Sequence, residues 1–154
     1  MEILNKMGDH DIVGLAWSEN GFRHVTNSKR EVKTPDDLQG LKLRTMQNKV
    51  HMAAFSGMGA SPTPMAFPEL FSALQQGVVD GQENPVTVIS SSTFWEVQKY
   101  VSLTVHVYSP AIILASPSLW SNLSDEAKTW FAAASKASAS ATRAEVNTLE
   151  TDGL

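Results

Sequence analysis

The stretch LKLRTMQNKVHMAAFSGMGASPTPM, residues 41–65, decides the fold class. LKLRT alternates apolar and basic residues with the period of a strand, so Leu41 and Leu43 share one face and Lys42 and Arg44 the other. NKVHMAAFSGMG then reads as a helix, stopped by Gly57 and Gly59. SPTPM is extended, because each proline biases its predecessor toward β or polyproline geometry. Strand, helix and extended segment in 25 residues is the signature of an α/β sheet.

The flanks continue the alternation. DIVGLAWSENGFRHVTNS is expected to form two strands broken by a turn at Glu19-Asn20-Gly21. TPDDLQG predicts a short helix, with Thr34 as cap, Pro35 at the first helical position, Asp37 completing a capping box and Gly40 ending it. A helix beginning at Pro68 places Leu70, Phe71 and Leu74 on one stripe, and Gly77 terminates it. VVDGQ is expected as a short strand and turn, with a helix from Pro85. KYVSLTVHVYSPAIILASPS holds two β-rich runs around Ser109-Pro110. LSDEAKTWF opens a long helix capped by Ser124, with Asp125 and Glu126 at the positive end of its dipole. Ala127, Trp130, Phe131, Ala134 and Ala141 are expected to share its buried face.

Composition narrows the function. The chain has 154 residues, a net charge of −4 and 42% hydrophobic residues. That apolar share suits an ordinary globular core. An acidic chain lacks the basic surface that nucleic acid requires. Zero cysteines exclude disulfides, thiolate metal sites and a cysteine nucleophile. No run of about 18 apolar residues exists, so direct membrane insertion is not expected. MEILNKMGDHD has no basic stretch followed by an apolar core, so it is not an export signal.

Catalytic motifs are missing too. His10, His24, His51 and His106 are scattered without metal-ligand spacing. Ser90-Ser91-Ser92 is not a nucleophile elbow, and reads more simply as a helix end. GMGA follows a helix rather than preceding one, the wrong place for a phosphate cradle. DGQE reads as a turn. Arg44 stands out, because ligands of α/β sheets bind at the C-terminal ends of strands. Its planar fork suits a carboxylate, though spacing alone favours a surface or structural ion pair. Phe67 fits either the core or a pocket wall. Asn84, before Pro85, fits either a helix cap or an amide donor to a ligand.

GLKLRTMQN, GASPTPMAFPELFSALQQGVVDGQENP and FWEVQKYVSLTVH together resemble the substrate-binding proteins of tripartite ATP-independent periplasmic (TRAP) transporters, the DctP-type family. The likeness runs from about Gly21 into the C-terminal helix. It implies a type II periplasmic binding protein fold, whose two lobes close on a small organic acid and deliver it to membrane permease subunits. No enzyme activity and no cofactor are implied, and the location is periplasmic. By the resemblance, Arg44 pairs with the ligand carboxylate, Asn84 reaches the same group, Phe67 borders the ligand and Arg23 contacts it in some members. Gln47 and Asn48 are polar contacts expected from position alone.

Family members run to about twice this length. The chain is therefore expected to be a fragment, with the export signal and most of lobe 1 missing. Residues 1–20 are assigned to the end of lobe 1 and a crossover strand. Residues 21–108 are assigned to lobe 2, and 109–154 to a return strand and long helix. The competing reading is a small α/β enzyme acting on an organic acid, with Arg44 as substrate clamp and Asp80, Glu83 or His51 as the acid–base group.

Overall fold

The computed structural model describes residues 2–152. Its contacts divide into two units, residues 22–108 and residues 1–21 with 109–154. The long strands β1 (Val13–Asn27) and β5 (Tyr100–Ala115) each belong to both.

The larger unit is built on a five-stranded mixed sheet of order β3-β2-β4-β1-β5. At its centre lie β2 (Lys42–Thr45) and β4 (Gly81–Pro85), parallel, with Arg44 opposite Gln82. β3 (Ser61–Pro64) runs parallel to β2 on one side, and β1 runs antiparallel to β4 on the other. Alternation works as the sequence implies: Leu43 is buried with Val25, Leu41, Leu38 and Phe55 in one core cluster. Phe55 comes from α2 (Lys49–Gly57), which starts where the Asn48 carboxamide accepts the backbone N–H groups of Val50 and His51. A second cluster joins Leu70 and Leu74 of α3 (Leu70–Gln75), Val79, Ile89 of α4 (Val86–Ser91) and Phe94. The Thr34–Asp37 capping box forms at a single 3₁₀ turn, Pro35–Leu38.

Four expectations are corrected. The first concerns Gly21, which does not turn the chain back: β1 is continuous from Val13 to Asn27. Gly21 has φ of +108°, and a Cβ there would meet Glu150 and Val146 of the long helix α6 (Asp125–Asp152). Its smallness serves close approach. The same applies to DGQE, which is not a turn but the start of central strand β4. A Cβ on Gly81 would run into the Thr26 carbonyl and Asn27 of β1. Pro110 likewise fails to split β5, which lies at the sheet edge, where a missing N–H is tolerated.

The fourth correction lies in the smaller unit. It holds the short helices α1 (Glu2–Lys6) and α5 (Pro117–Ser121) besides α6. At 28 residues α6 extends about 42 Å. Its buried residues are Ser135, Ala139 and Val146, whereas Trp130 is 64% and Phe131 43% exposed. Small side chains at i and i+4 let the helix lie close; the bulky apolar residues face outward. No described helix is long and apolar enough to cross a membrane.

Candidate functional site

The alternation of β4 sends Glu83 to one face of the sheet and Gln82 and Asn84 to the other. Glu83 falls on the Phe55 side and is fully buried, at 0% exposure. Bare, such a carboxylate would be costly. It is not bare. Arg23 of β1 grips it with both branches of its fork: Nε donates to Oε2 at 2.5 Å and Nη2 to Oε1 at 2.9 Å. His106 of β5 donates Nε2 to Oε2 at 3.1 Å and touches Thr104 through Nδ1 at 2.8 Å. His51 of α2 brings Nδ1 to 3.7 Å from Oε1, without a hydrogen-bond partner. The Phe55 ring meets both imidazoles edge-on. Burial pushes the Glu83 carboxyl up, but hydrogen bonds from His106 and Arg23, with Arg23's charge, outweigh it and hold the group below the ordinary glutamate range.

Arg23 continues beyond Glu83. The same Nη2 donates to the Glu83 carbonyl at 2.8 Å and to Asn84 Oδ1 at 3.0 Å. Asn84 in turn donates Nδ2 to Gln82 Oε1 at 2.5 Å. Arg23 and Asn84 are thus brought together. Asn84 belongs to a buried strand, not to a turn, and it is not the cap of α4, which is Pro85.

Arg44 is placed differently. It sits at the C-terminal end of β2, buried, and donates Nε and Nη2 to the Met65 carbonyl at 3.1 and 2.9 Å. Its Cζ lies 5.8 Å from the centroid of the Phe67 ring, a cation–π arrangement. Phe67 is 46% exposed and packs edge-on against buried Phe94. No carboxylate pairs with Arg44 among the described residues. Burial pulls its guanidinium below the usual arginine range, opposed by Glu83's charge and reinforced by Arg23's. Register puts Asn84 two residues beyond Arg44's partner Gln82, in the same direction along parallel strands. Gln47 and Asn48 follow β2 on the exposed side, with the Asn48 oxygen committed to capping α2.

A cavity of about 420 Å³ opens elsewhere in this unit. Apolar residues such as Val25, Val32, Leu38 and Met58 dominate it, and none of the six predicted contacts lines it. It meets the polar cluster only at Phe55 and His106. Arg44 and Asn84 both lie outside its lining.

Sequence reasoning missed Glu83 as a hub, with His106 beside it. Arg23 and His106 are 83 positions apart in the sequence, and no spacing rule links them. Among the described residues, no group of three or more His, Asp or Glu side chains is arranged to hold a metal.

With this geometry in hand, comparison with known proteins is decisive. Residues 1–154 match the family described as bacterial extracellular solute-binding protein, family 7, DctP. The chain belongs to this family. A solute-binding protein of Verminephrobacter eiseniae is 50% identical over 153 residues, 99% of this chain and 46% of the relative. The 2,3-diketo-L-gulonate-binding periplasmic protein YiaO of Escherichia coli is 47% identical over 112 residues, 73% of this chain and 34% of that protein. The crystal structure of a TRAP periplasmic solute-binding protein from Polaromonas, bound to D-erythronate, superimposes with a TM-score of 0.95 at 55% identity, covering 99% of this chain and 50% of that one. The fold is therefore that of the TRAP solute-binding proteins, type II periplasmic binding proteins. The chain spans about half the length of such relatives or less.

Proposed function

We propose that the chain carries the carboxylate-binding half of an extracytoplasmic solute receptor, which captures a small organic acid and hands it to TRAP permease subunits in the membrane. The observation that carries this is Arg44, a buried guanidinium with no acidic partner among the described residues. A buried cation without a counter-ion is costly unless an anion arrives from outside. Arg23 differs, because Glu83 already neutralises it. In this reading the ligand carboxylate meets Arg44, Asn84 donates to it and Phe67 closes one side. Arg23 acts mainly by fixing Asn84, and Gln47 and Asn48 contribute polar contacts at the rim.

The relatives' ligands, D-erythronate and 2,3-diketo-L-gulonate, support a sugar acid as the class. The chemistry needed is binding alone, without a cofactor. Of the acid–base candidates, Asp80 accepts the Lys42 backbone N–H at 2.9 Å, and Glu83 is ionised and gripped. Neither is free to move a proton at Arg44, and the third candidate, His51, lies against Glu83, with Nδ1 3.7 Å from Oε1; the binding reading is therefore preferred to the enzyme reading. We assign residues 21–108 to lobe 2, and 1–20 with 109–154 to the end of lobe 1, the return strand and the long helix; the contact division at 21/22 and 108/109 supports these boundaries. The periplasm is the compartment this function requires.

A thermal-shift panel of D-erythronate, 2,3-diketo-L-gulonate and succinate tests the reading. A rise in melting temperature with one acid, lost in Arg44→Ala, is the expected result. A shift that persists in Arg44→Ala overturns the role given to Arg44.

A further inference from the structure

From Arg23 to Gln98, side-chain hydrogen bonds form one unbroken line through Asn84, Gln82 and Thr26. Arg23 Nη2 donates to Asn84 Oδ1. Asn84 Nδ2 donates to Gln82 Oε1 at 2.5 Å, and Gln82 Nε2 to Thr26 Oγ1 at 3.0 Å. Thr26 donates its hydroxyl to Gln98 Oε1 at 2.9 Å. Gln98 Nε2 then donates to the Val97 carbonyl at 3.0 Å and to Ser28 Oγ at 3.1 Å, with the Asp80 carbonyl at 3.4 Å. Arg23, Thr26, Gln82, Asn84 and Gln98 are all buried.

The two ends of this line admit only one polarity. A guanidinium can only donate, and a backbone carbonyl can only accept. Gln98 must therefore turn its oxygen to Thr26, Thr26 must donate to it, and Gln82 must donate to Thr26. Gln82 is left offering an oxygen to Asn84, and Arg23 demands the Asn84 oxygen from the other side. Flipping any one amide sets N–H against N–H or oxygen against oxygen in a buried place, where unmade bonds are costly. Asn84 accordingly keeps its Nδ2 on the Gln82 side, and its second N–H has no acceptor among the described residues.

We propose that Gln98, acting through Thr26 and Gln82, fixes the Asn84 carboxamide with an N–H toward the ligand, so that Gln98 and Thr26 are positioning residues for carboxylate recognition. This rests on the reading of Asn84 as a ligand contact. It gives the site selectivity without another charge: an acceptor-only carboxylate is welcomed, while a neutral carboxamide that presents its NH₂ to Asn84 is refused.

The test joins a spectrum to a binding cycle. In ¹H–¹⁵N spectra of the whole chain, the Asn84 side-chain amide is expected as one pair of resonances in wild type and Thr26→Ser. In Thr26→Val, which keeps the shape but removes the hydroxyl, that pair is expected to broaden or double. An Asn84 pair unchanged in Thr26→Val overturns the proposal. The binding arm uses D-erythronate as probe. Thr26→Val is expected to raise Kd about tenfold with Asn84 present and to change it little in an Asn84→Ala background, with Thr26→Ser restoring wild-type affinity. Equal losses in both backgrounds indicate a merely structural role and also overturn it. Should Asn84→Ala bind as tightly as wild type, the reading of Asn84 as a contact fails, and the spectrum still decides the relay. Gln98→Met, at the far end of the line, gives the same spectral outcome if Thr26→Val does not fold, and an unchanged Asn84 pair there counts equally against it.

Discussion

Two arginines lie on neighbouring parts of one sheet, and their partners give them opposite roles. Arg44 is held by a neutral carbonyl and an aromatic face, so its charge stays available. Replacing it with lysine keeps the charge but loses the fork, and should weaken carboxylate binding roughly tenfold to hundredfold with little change in melting temperature. Titration calorimetry with the acid found in the thermal-shift panel would measure this, and an unaltered Kd would refute the forked contact. Arg23 is spent on Glu83, which makes Glu83 a stability residue. Because its folded pKa lies below the ordinary 4.5, its contribution is complete above that value and lost as pH falls through the lowered one. Melting temperature should therefore drop steeply below about pH 4.5. Glu83→Gln should cost about 3–5 kcal/mol at pH 7 and flatten that acid-side drop. Melts from pH 7 to 3 would show both effects, and parallel curves for wild type and variant would contradict them.

At the scale of elements, glycine explains where the sequence misled. Gly21 and Gly81 both sit beside polar residues, in Glu19-Asn20-Gly21 and Asp80-Gly81, which is the local pattern of a turn. Their actual role is set by chain that arrives from far away in sequence: α6 at Gly21 and β1 at Gly81. No local rule can see that. Local signals did succeed where the cause was local, as in the Leu41/Leu43 alternation, the Thr34–Asp37 capping box and the Ser124 cap of α6. The site divides in the same way. The placement of Arg44 near the end of β2 was legible because a strand's C-terminal end is a local property, whereas Glu83, His106 and Thr26 are brought together only through the β4–β1–β5 order. Gly81→Ala tests the point. It should destabilise the chain by about 1–3 kcal/mol, because backbone rather than a flexible side chain occupies the space. Urea denaturation would measure it; a neutral result would mean that β1 and β4 can separate without cost.

For the whole molecule, the location of large apolar side chains bears on behaviour in solution. On α6, Trp130 and Phe131 are exposed while Ser135 and Ala139 are buried, the reverse of what an isolated amphipathic helix prefers. On β5, Leu103, Val105 and Tyr108 are exposed along an edge strand. Scattered apolar residues are ordinary on a surface, but runs of them on one element, and on a strand edge, invite association. The chain has net charge −4, a modest opposing repulsion. We therefore expect concentration-dependent self-association of the chain in sedimentation velocity, strengthened by salt because salt screens the repulsion and leaves the apolar contacts. Trp130→Ser with Phe131→Ser should shift the profile toward monomer without lowering the melting temperature, since neither side chain is buried in the fold. A chain that sediments as a monomer at every concentration would show that these exposed groups are too dispersed to associate.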